Sequence, residues 1–280
     1  MKVPFLICSL FIISFCSMKA QEKLTVDMNL KTEPTDKINF NKSLISFKIN
    51  KEIGAKSNIT NTLQYSHLNV NYELGNFESF ENLDRFNQLQ NSFEFIRNIS
   101  KSTALKFTVT PTANFQQNPG VSDITVLGSF EVLQRLNSAV SLNFGAARAA
   151  IFGYAKYMPV LSLNYKVNEK TSMLIGFPDS KISYSNNIRN KFSLTNSFNG
   201  NFYNLDSPIG IQKEASKASL SQMTSAFEYE RNVEHNWFLN FKAGYNFNKK
   251  YTLINNNNHE VYDFNTGNGS ILSIGIKYKQ

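Results

Sequence analysis

Cysteine is nearly missing from this 280-residue chain, since its two copies, Cys8 and Cys16, both lie in the first 20 residues. Long hydrophobic runs are also missing: beyond residue 17 none approaches the ~20 apolar residues that a membrane-spanning helix needs. Charged residues make up 18% of the chain, against roughly 25% in soluble domains. These scarcities exclude a helical membrane protein, and they exclude disulfides and cysteine-based metal sites beyond the N-terminal segment.

Aromatic residues, by contrast, are plentiful. The chain has 24 Phe, 12 Tyr and one Trp, which is 13% of its residues. Disordered chains are rich in charge and poor in aromatics, so this chain folds. Its 29 basic residues outnumber its 21 acidic ones, but the excess is dispersed along the sequence. We therefore expect no nucleic-acid partner.

The N-terminal segment has the features of a secretory signal. A lysine at the second position precedes an apolar stretch that ends at Phe15, and the small residue Ala20 follows. The sequence predicts a signal peptide over residues 1–20 and one mature domain over residues 21–280. Acylation of Cys16 is the alternative, but Phe15 stands where a lipoprotein signal has a small residue.

The mature chain alternates between apolar and polar residues. Over residues 103–115 the odd positions are mostly apolar and the even positions mostly polar. This period of two predicts a β-strand, and it is equally clear over 237–248 and 272–278. Weaker copies lie at 24–30, 43–53, 61–74, 88–97, 123–133, 139–149, 157–167, 171–182 and 218–231. The sequence therefore predicts an all-β protein of about 12 strands.

Aromatic spacing distinguishes a membrane barrel from a secreted β-sandwich, which also alternates. Trp237 and Phe247 lie on one face of one strand, ten residues apart. At ~3.3 Å per residue and a tilt near 40°, they stand about 25 Å apart along the membrane normal, the height of the apolar band of an outer-membrane barrel. We therefore predict a transmembrane antiparallel β-barrel in the outer membrane of a Gram-negative bacterium, in contact with its lipids.

Turn positions give an independent test of these faces. The sequence predicts a three-residue turn at 168–170, a turn centred on Ser100 and one centred on Glu234. Apart from Val167 with Thr171, the pairs that these turns bring together on the outer face are apolar with apolar, as a lipid-facing sheet requires. The predicted pairs include Tyr165 with Met173, Phe93 with Phe107, and Phe227 with Phe241.

The connections divide into short turns and longer loops in alternation. Outer-membrane barrels have short periplasmic turns and long outer loops, so we expect both termini in the periplasm. Pro111 and Pro159 fall inside predicted strands, where we expect bulges. A helix over 83–93 remains an alternative to a strand there. The longer connections are predicted at 31–42, 75–87, 116–122, 150–156, 183–217 and 255–259.

The predicted faces also place charged residues in the lumen. With the turn centred on Ser100, Glu94 lies opposite Lys106, and both point inward. Two carboxylates spaced by two on one strand also share the inner face. The sequence therefore predicts a cluster of lumen charges, which comprises Glu94, Lys106, Glu228, Glu230 and Lys242.

Catalytic motifs are not apparent. A barrel lipase needs a serine activated by a histidine that a third group orients, and His67, His235 and His259 show no such clustering with serine. We expect no enzymatic activity, no cofactor and no bound metal. Paired carboxylates can act in acid–base chemistry or bind a cation, but salt bridges in the lumen are the more common role.

Three short segments carry a resemblance to a known family: Tyr157-Met158-Pro159, Gly176-Phe177-Pro178 and Ile182-Ser183-Tyr184. With the signal and the Asn/Lys-rich strands, they resemble an uncharacterised outer-membrane β-barrel family of Bacteroidota, a domain of unknown function. The resemblance implies a cell-envelope location and no established activity. Such barrels usually end on an aromatic that the barrel-assembly machinery reads. Here Tyr278 is followed by two further residues.

The sequence thus favours a narrow solute channel or transport-related barrel whose solute is unknown. A structural or ligand-binding barrel that acts through its outer loops is the alternative. A lipid-modifying enzyme is a third and weaker hypothesis.

Overall fold

A computed structural model describes residues 23–73, 83–209 and 215–280. Almost all of these residues lie in β-strands, and no helix among them is long and apolar enough to cross a membrane. The strands are β1 (Lys23–Pro34), β2 (Ile38–Ile53), β3 (Ser57–Tyr72), β4 (Arg85–Asn98), β5 (Thr103–Phe115), β6 (Ile124–Arg135), β7 (Val140–Ala149), β8 (Lys156–Lys166), β9 (Thr171–Phe177), β10 (Asp179–Ser185), β11 (Asn190–Ile209), β12 (Ala215–Glu234), β13 (Trp237–Ile254), β14 (Glu260–Asp263) and β15 (Gly269–Lys279).

The strands close into a barrel. Each strand from β1 to β13 pairs with the next one in antiparallel fashion, and β15 joins β13 to β1. The short β14 pairs with β13 alone, so it adds to one connection and not to the wall. The protein is therefore an all-β, closed antiparallel barrel of 14 strands, as the alternation predicts in kind.

The strand number differs from the predicted 12 for two reasons. The segment 171–182, predicted as one strand, is divided by Pro178 into β9 and most of β10. The predicted loop 183–217 contains the 20 residues of β11. Asn196 and Gly200 interrupt the apolar face of β11. They weaken its period-two alternation, so the segment resembles a loop in sequence.

The outer face of the wall is apolar. Phe107 on β5 and Phe130 on β6 lie directly opposite each other, and each side chain is 51% exposed. Trp237 and Phe247 are also exposed, at the two ends of the lipid-facing part of β13. Exposed aromatics in a continuous band are typical of a surface that faces lipid. The alternative of a helix over 83–93 is wrong, because β4 begins at Arg85.

The predicted registers place the side chains on the correct faces, but only one of them gives the correct residue pairs. The hairpin of β8 and β9 pairs Tyr165 with Met173, as predicted. The other two hairpins are shifted by two residues, so Phe93 pairs with Val109 and Phe227 with Ala243. A shift of two keeps every side chain on its predicted face, since the period of a strand is two.

The two prolines cause no bulge, contrary to expectation. The register of β5 with β6 continues through Pro111, and that of β7 with β8 continues through Pro159. On its other side, Pro159 lies beyond the last pair of β8 with β9, which joins Leu161 to Phe177. The missing N–H of this proline therefore faces no strand partner.

All chain reversals that follow even-numbered strands up to β12 are short turns at the end of the barrel where β1 begins and β15 ends, which we call the turn end. We call the opposite end of the barrel the connection end. Its connections vary more in length than the sequence predicts. The connection of β1 to β2 shortens to residues 35–37, and that of β9 to β10 to Pro178 alone. Residues 75–82 of the predicted loop 75–87 lie outside the described part.

Strand length differs around the wall. Strands β11 to β13 have 18 to 20 residues, whereas β9 and β10 have seven each. On the connection-end side of the short strands, β11 meets the end of β5 in a parallel bridge of Asn204 with Phe115. The loop after β7 also runs along β11. There a Cβ at Gly200 would clash with the carbonyl oxygen of Ile151. The barrel therefore narrows toward the connection end.

Candidate functional site in the barrel lumen

Glu228 joins three strands inside the barrel. It lies opposite Lys242 in the β12–β13 register, and the Lys242 Nζ is 3.1 Å from its Oε1 atom. Lys181 on β10 reaches the other carboxylate oxygen at 2.7 Å. One carboxylate thus receives two ammonium groups.

Glu230 forms a second node on the same strand, one step closer to the turn end. Its Oε2 atom is 3.0 Å from the Nζ of Lys277, and its Oε1 atom is 3.5 Å from that of Lys279. Lys277 also lies 3.5 Å from the carboxylate of Asp27 on β1. These contacts connect β12 to β15 and β15 to β1, on both sides of the closing strand.

Glu94 and Lys106 form a separate group on β4 and β5. Because of the two-residue shift, Glu94 lies opposite Thr108 and not opposite Lys106. The Lys106 Nζ still lies 3.4 Å from the Glu94 carboxylate, along a diagonal, and equally far from that of Glu131. Glu131 is the residue directly opposite Lys106 on β6.

The predicted cluster is therefore divided into two groups, and the structure adds several ion-pair partners to its residues. Glu131 could have been found from the sequence, because it lies on the inner face of the predicted strand 123–133. Lys181 was not assigned to the lumen from the sequence, because Pro178 divides the predicted strand 171–182 into two strands. Asp27 and Lys277 meet only because the first and last strands close the barrel, and no local sequence signal indicates that contact.

A cavity of about 580 Å³ occupies the lumen beyond these charges, toward the connection end. We call it the chamber. It shares Asn29, Lys242 and Ser273 with a polar cavity of about 230 Å³ that surrounds Glu228 and Glu230. That polar cavity in turn shares Lys181 and Lys191 with a cavity of about 550 Å³ at the turn end. Three cavities that share lining residues thus succeed one another from the turn end to the chamber.

An aromatic cluster closes the chamber at the connection end. The five rings that make up this plug come from four strands and the segment after β14: Phe40, Phe86, Tyr203, Tyr251 and Phe264. All are buried. Phe86 stacks on Tyr203 at 4.9 Å between centroids, and Tyr251 stacks on Phe264 at 4.4 Å. Leu68 and Val70 pack in the same cluster. The plug is made of wall side chains and one connection.

A hydrogen bond between tyrosines adds to the plug. The hydroxyls of Tyr72 and Tyr251 lie 3.0 Å apart. Both residues lie beyond the lipid-facing part of their strands. Burial is the main cause that raises the pKa of Tyr251 well above its ordinary value. Both partners of the hydrogen bond are therefore neutral hydroxyls at physiological pH.

A charged pair lies directly under the plug. The Lys249 side chain is 0% exposed, and its Nζ lies 3.1 Å from the Oε2 atom of Glu33. The same ammonium stands 3.9 Å from the ring centroid of Phe40, within the range of a cation–π interaction. Glu33 also accepts hydrogen bonds from Lys31 at 2.9 Å and Gln222 at 2.8 Å.

The three histidines lie apart from one another. His67 on β3 contacts the side chains of Asn87 and Asn69. His235 is in the β12–β13 turn, and His259 is in the connection after β13. Among the described residues, no group of three or more His, Cys, Asp or Glu could hold a metal ion.

A family model matches residues 23–279, almost the whole described barrel. It is the model of a domain of unknown function, DUF6268. The chain belongs to this family. No curated protein matches the chain.

Solved structures with similar backbones are outer-membrane barrels. An outer membrane channel from Pseudomonas putida F1 has a TM-score of 0.48 at 10% identity, with 94% of this chain and 97% of that chain covered. A deletion mutant of the TodX monoaromatic hydrocarbon channel also has a TM-score of 0.48, at 9% identity, with 96% and 92% covered. The NanC porin has a TM-score of 0.45 at 6% identity, with 91% and 100% covered.

Proposed function

We propose that this protein is a channel-type barrel of the Gram-negative outer membrane that admits small polar solutes into its lumen from the turn end. The observation that carries the proposal is the series of three cavities that share lining residues and end under the plug. A barrel that served only as a scaffold would have no need of a solvent-accessible chamber under a buried aromatic cluster. The apolar outer face supports the membrane location.

The proposal includes an orientation and an origin. The start of β1 and the end of β15 lie at the turn end, where Trp237 packs edge-on against Tyr278 at 5.1 Å. We place this end in the periplasm, with Tyr278 on the strand that the assembly machinery reads, and the plug on the outer side. We further propose a Bacteroidota envelope as the source, and a transport role without enzymatic activity.

The plug makes the resting channel narrow or closed. Barrels near eight strands are filled by side chains, and those of 16 to 18 strands enclose an aqueous channel. This wall has 14 strands at the belt, but the bridge of β5 with β11 brings fewer strands around the plug. The wider part can therefore hold solute while the narrower part is sealed by aromatic rings.

Single-channel recording of the refolded protein in a planar bilayer tests the proposal. We expect little current from the unmodified protein and a several-fold larger current from the double variant Tyr251→Ala/Phe264→Ala. The matched control is Phe107→Ala/Phe130→Ala, which removes two rings from the lipid face and should leave the current unchanged. A wide, stable pore in the unmodified protein would overturn the proposal.

The alternative, a barrel that binds surface ligands through its outer connections, makes a different prediction. It expects no current even from the plug variant, and loss of binding to cell-surface material when residues 255–268 are shortened. The length of β11 to β13 favours it as a second candidate, because these strands continue beyond the lipid-facing belt.

A further inference from the structure

Two lysines face each other across neighbouring strands at the chamber. The β1–β2 register places Lys31 directly opposite Lys42, and both line the chamber. Like charges directly opposite on one face of a sheet are destabilising. Such a pair persists where another group supplies the missing negative charge.

The protein supplies too little of that charge. Among the described residues that line the chamber, the one carboxylate is that of Glu33. It already binds the ammonium groups of Lys31 and Lys249, and the amide of Gln222. In the described part of the chain, Lys42 Nζ has neither a hydrogen bond nor an ion pair. Three lysines thus share one carboxylate, and the chamber keeps an excess of positive charge.

The ion pairs nearer the turn end do not correct this excess. Lys242 also lines the chamber, but it is held by Glu228 at 3.1 Å. Glu228 is itself shared with Lys181. The carboxylates nearer the turn end are therefore already paired with lysines of their own.

The remaining polar lining consists mainly of amides. A side-chain amide offers both donors and an acceptor, which matches the hydroxyl groups of a polyol. Some of these groups already have one partner: Gln88 donates to Asn114, and Asn199 donates to Thr224. The amide residues that line the chamber are Asn29, Gln88, Gln90, Asn199, Asn201 and Gln222.

We propose that the chamber binds a small carboxylate that carries several hydroxyl groups. Its carboxylate lies between Lys42 and Lys31, and its hydroxyls contact the amides under Phe40 and Tyr203. The inference names the solute class of the proposed channel, and it rests on that proposal for the entry of solute from the turn end. A chamber of about 580 Å³ has room for a molecule of six or so carbons, since small-molecule sites measure roughly 300 to 1,000 Å³.

Isothermal titration of the refolded protein in detergent tests the site. The probe is gluconate, with acetate as the carboxylate without hydroxyls and sorbitol as the hydroxyls without charge. We expect gluconate to bind at least tenfold more tightly than either. Equal binding of sorbitol and gluconate, or no binding of gluconate, would overturn the inference.

Variants assign the binding to the lysine pair. Lys42→Gln should weaken gluconate binding at least tenfold, and Lys42→Arg should retain most of it. Lys48→Gln is the matched control, because Lys48 lies on the same strand, is exposed and does not line the chamber. Heat-modifiable migration identifies folded barrels before each titration. Undiminished binding by Lys42→Gln would show that the site is elsewhere and contradict the inference.

The two proposals can fail separately. Current through the plug variant without any gluconate binding would leave the channel and remove this site. Gluconate binding that depends on Lys42, without current through the plug variant, would leave the site and remove the channel.

Discussion

The Lys249 ammonium lies 3.1 Å from the carboxylate of Glu33, although their strands are not neighbours at the lipid-facing belt. There β15 separates β1 from β13, but β15 begins only at Gly269. Gly269 pairs with Asn246 on β13 and forms a bridge with Thr35 just after β1. Lys249 therefore lies three residues past the last pair of β13 with β15, and its ion pair with Glu33 joins β13 to β1 across the start of the closing strand.

Breaking this pair should destabilise the barrel. Glu33→Gln leaves Lys249 buried without its carboxylate, and Lys249→Met leaves Glu33 with only Lys31 and Gln222 as partners. Removal of one partner of a buried ion pair costs about 3 to 5 kcal/mol. We expect a loss of that order from each variant in urea unfolding, and less than the sum from the double variant.

The control for this prediction is an exposed pair. Arg85 lies 3.2 Å from Asp84, with the two side chains 63% and 40% exposed, and exposed pairs contribute about 0 to 1 kcal/mol. Arg85→Met should change the unfolding midpoint little. If it and Lys249→Met had equal effects, the buried pair would have no special role in stability.

Lys106 should tolerate loss of its charge better than reversal of it. It lies between the carboxylates of Glu94 and Glu131, 3.4 Å from each. Lys106→Gln removes attraction, whereas Lys106→Glu brings three carboxylates together. Since cross-strand charge pairs contribute roughly 0.2 to 1 kcal/mol each, we expect Lys106→Glu to lower the melting temperature further. Equal melting temperatures would argue against the inward placement of all three.

Removal of the two carboxylates on β12 should change ion selectivity. In the plug variant Tyr251→Ala/Phe264→Ala, the further changes Glu228→Gln and Glu230→Gln leave their lysine partners unneutralised in the lumen. The reversal potential in a KCl gradient should then shift toward chloride, since rings of one charge select the opposite ion. Glu234→Gln, at the exposed end of the same strand, is the control and should cause no such shift.

Processing and location can be tested in cells. We expect N-terminal sequencing of the mature protein to begin at Gln21, and the protein to fractionate with outer membranes. An acylated N-terminus at Cys16 would support the lipoprotein alternative. Recovery from the soluble periplasm would contradict the barrel's membrane placement, because exposed apolar bands do not stay dispersed in water.

The faces of the strands could be predicted from the sequence better than their registers. The turn at 168–170 is fixed locally, because the Asn168 side chain accepts hydrogen bonds from the N–H groups of Lys170 and Thr171. The turn near Ser100 extends to Thr103 through backbone hydrogen bonds. Its centre therefore moves by one residue and the register by two. Hydrophobic alternation cannot detect that shift, since it leaves every face unchanged.

The chamber and its plug could not be predicted in the same way. Phe40, Tyr203 and Tyr251 lie on strands that are distant in sequence, and each alone is an ordinary inward residue. A bulge also contributes: the register of β12 with β13 shifts between Ser221 and Met223, and Asn248 adopts a positive φ of 50°. Beyond this irregularity the odd residues of β13 turn inward, and this brings Lys249 and Tyr251 into the lumen.

The bridge of Asn204 with Phe115 has a consequence for the order of assembly. The five strands between β5 and β11 must all have entered the wall before these two residues can meet. The narrow end, with its plug, is thus the last part to form, because its contacts join the most distant segments of the chain. On unfolding, the same end should open first while the belt is still intact, so that chamber amides exchange their hydrogens with solvent before those of the short strands do.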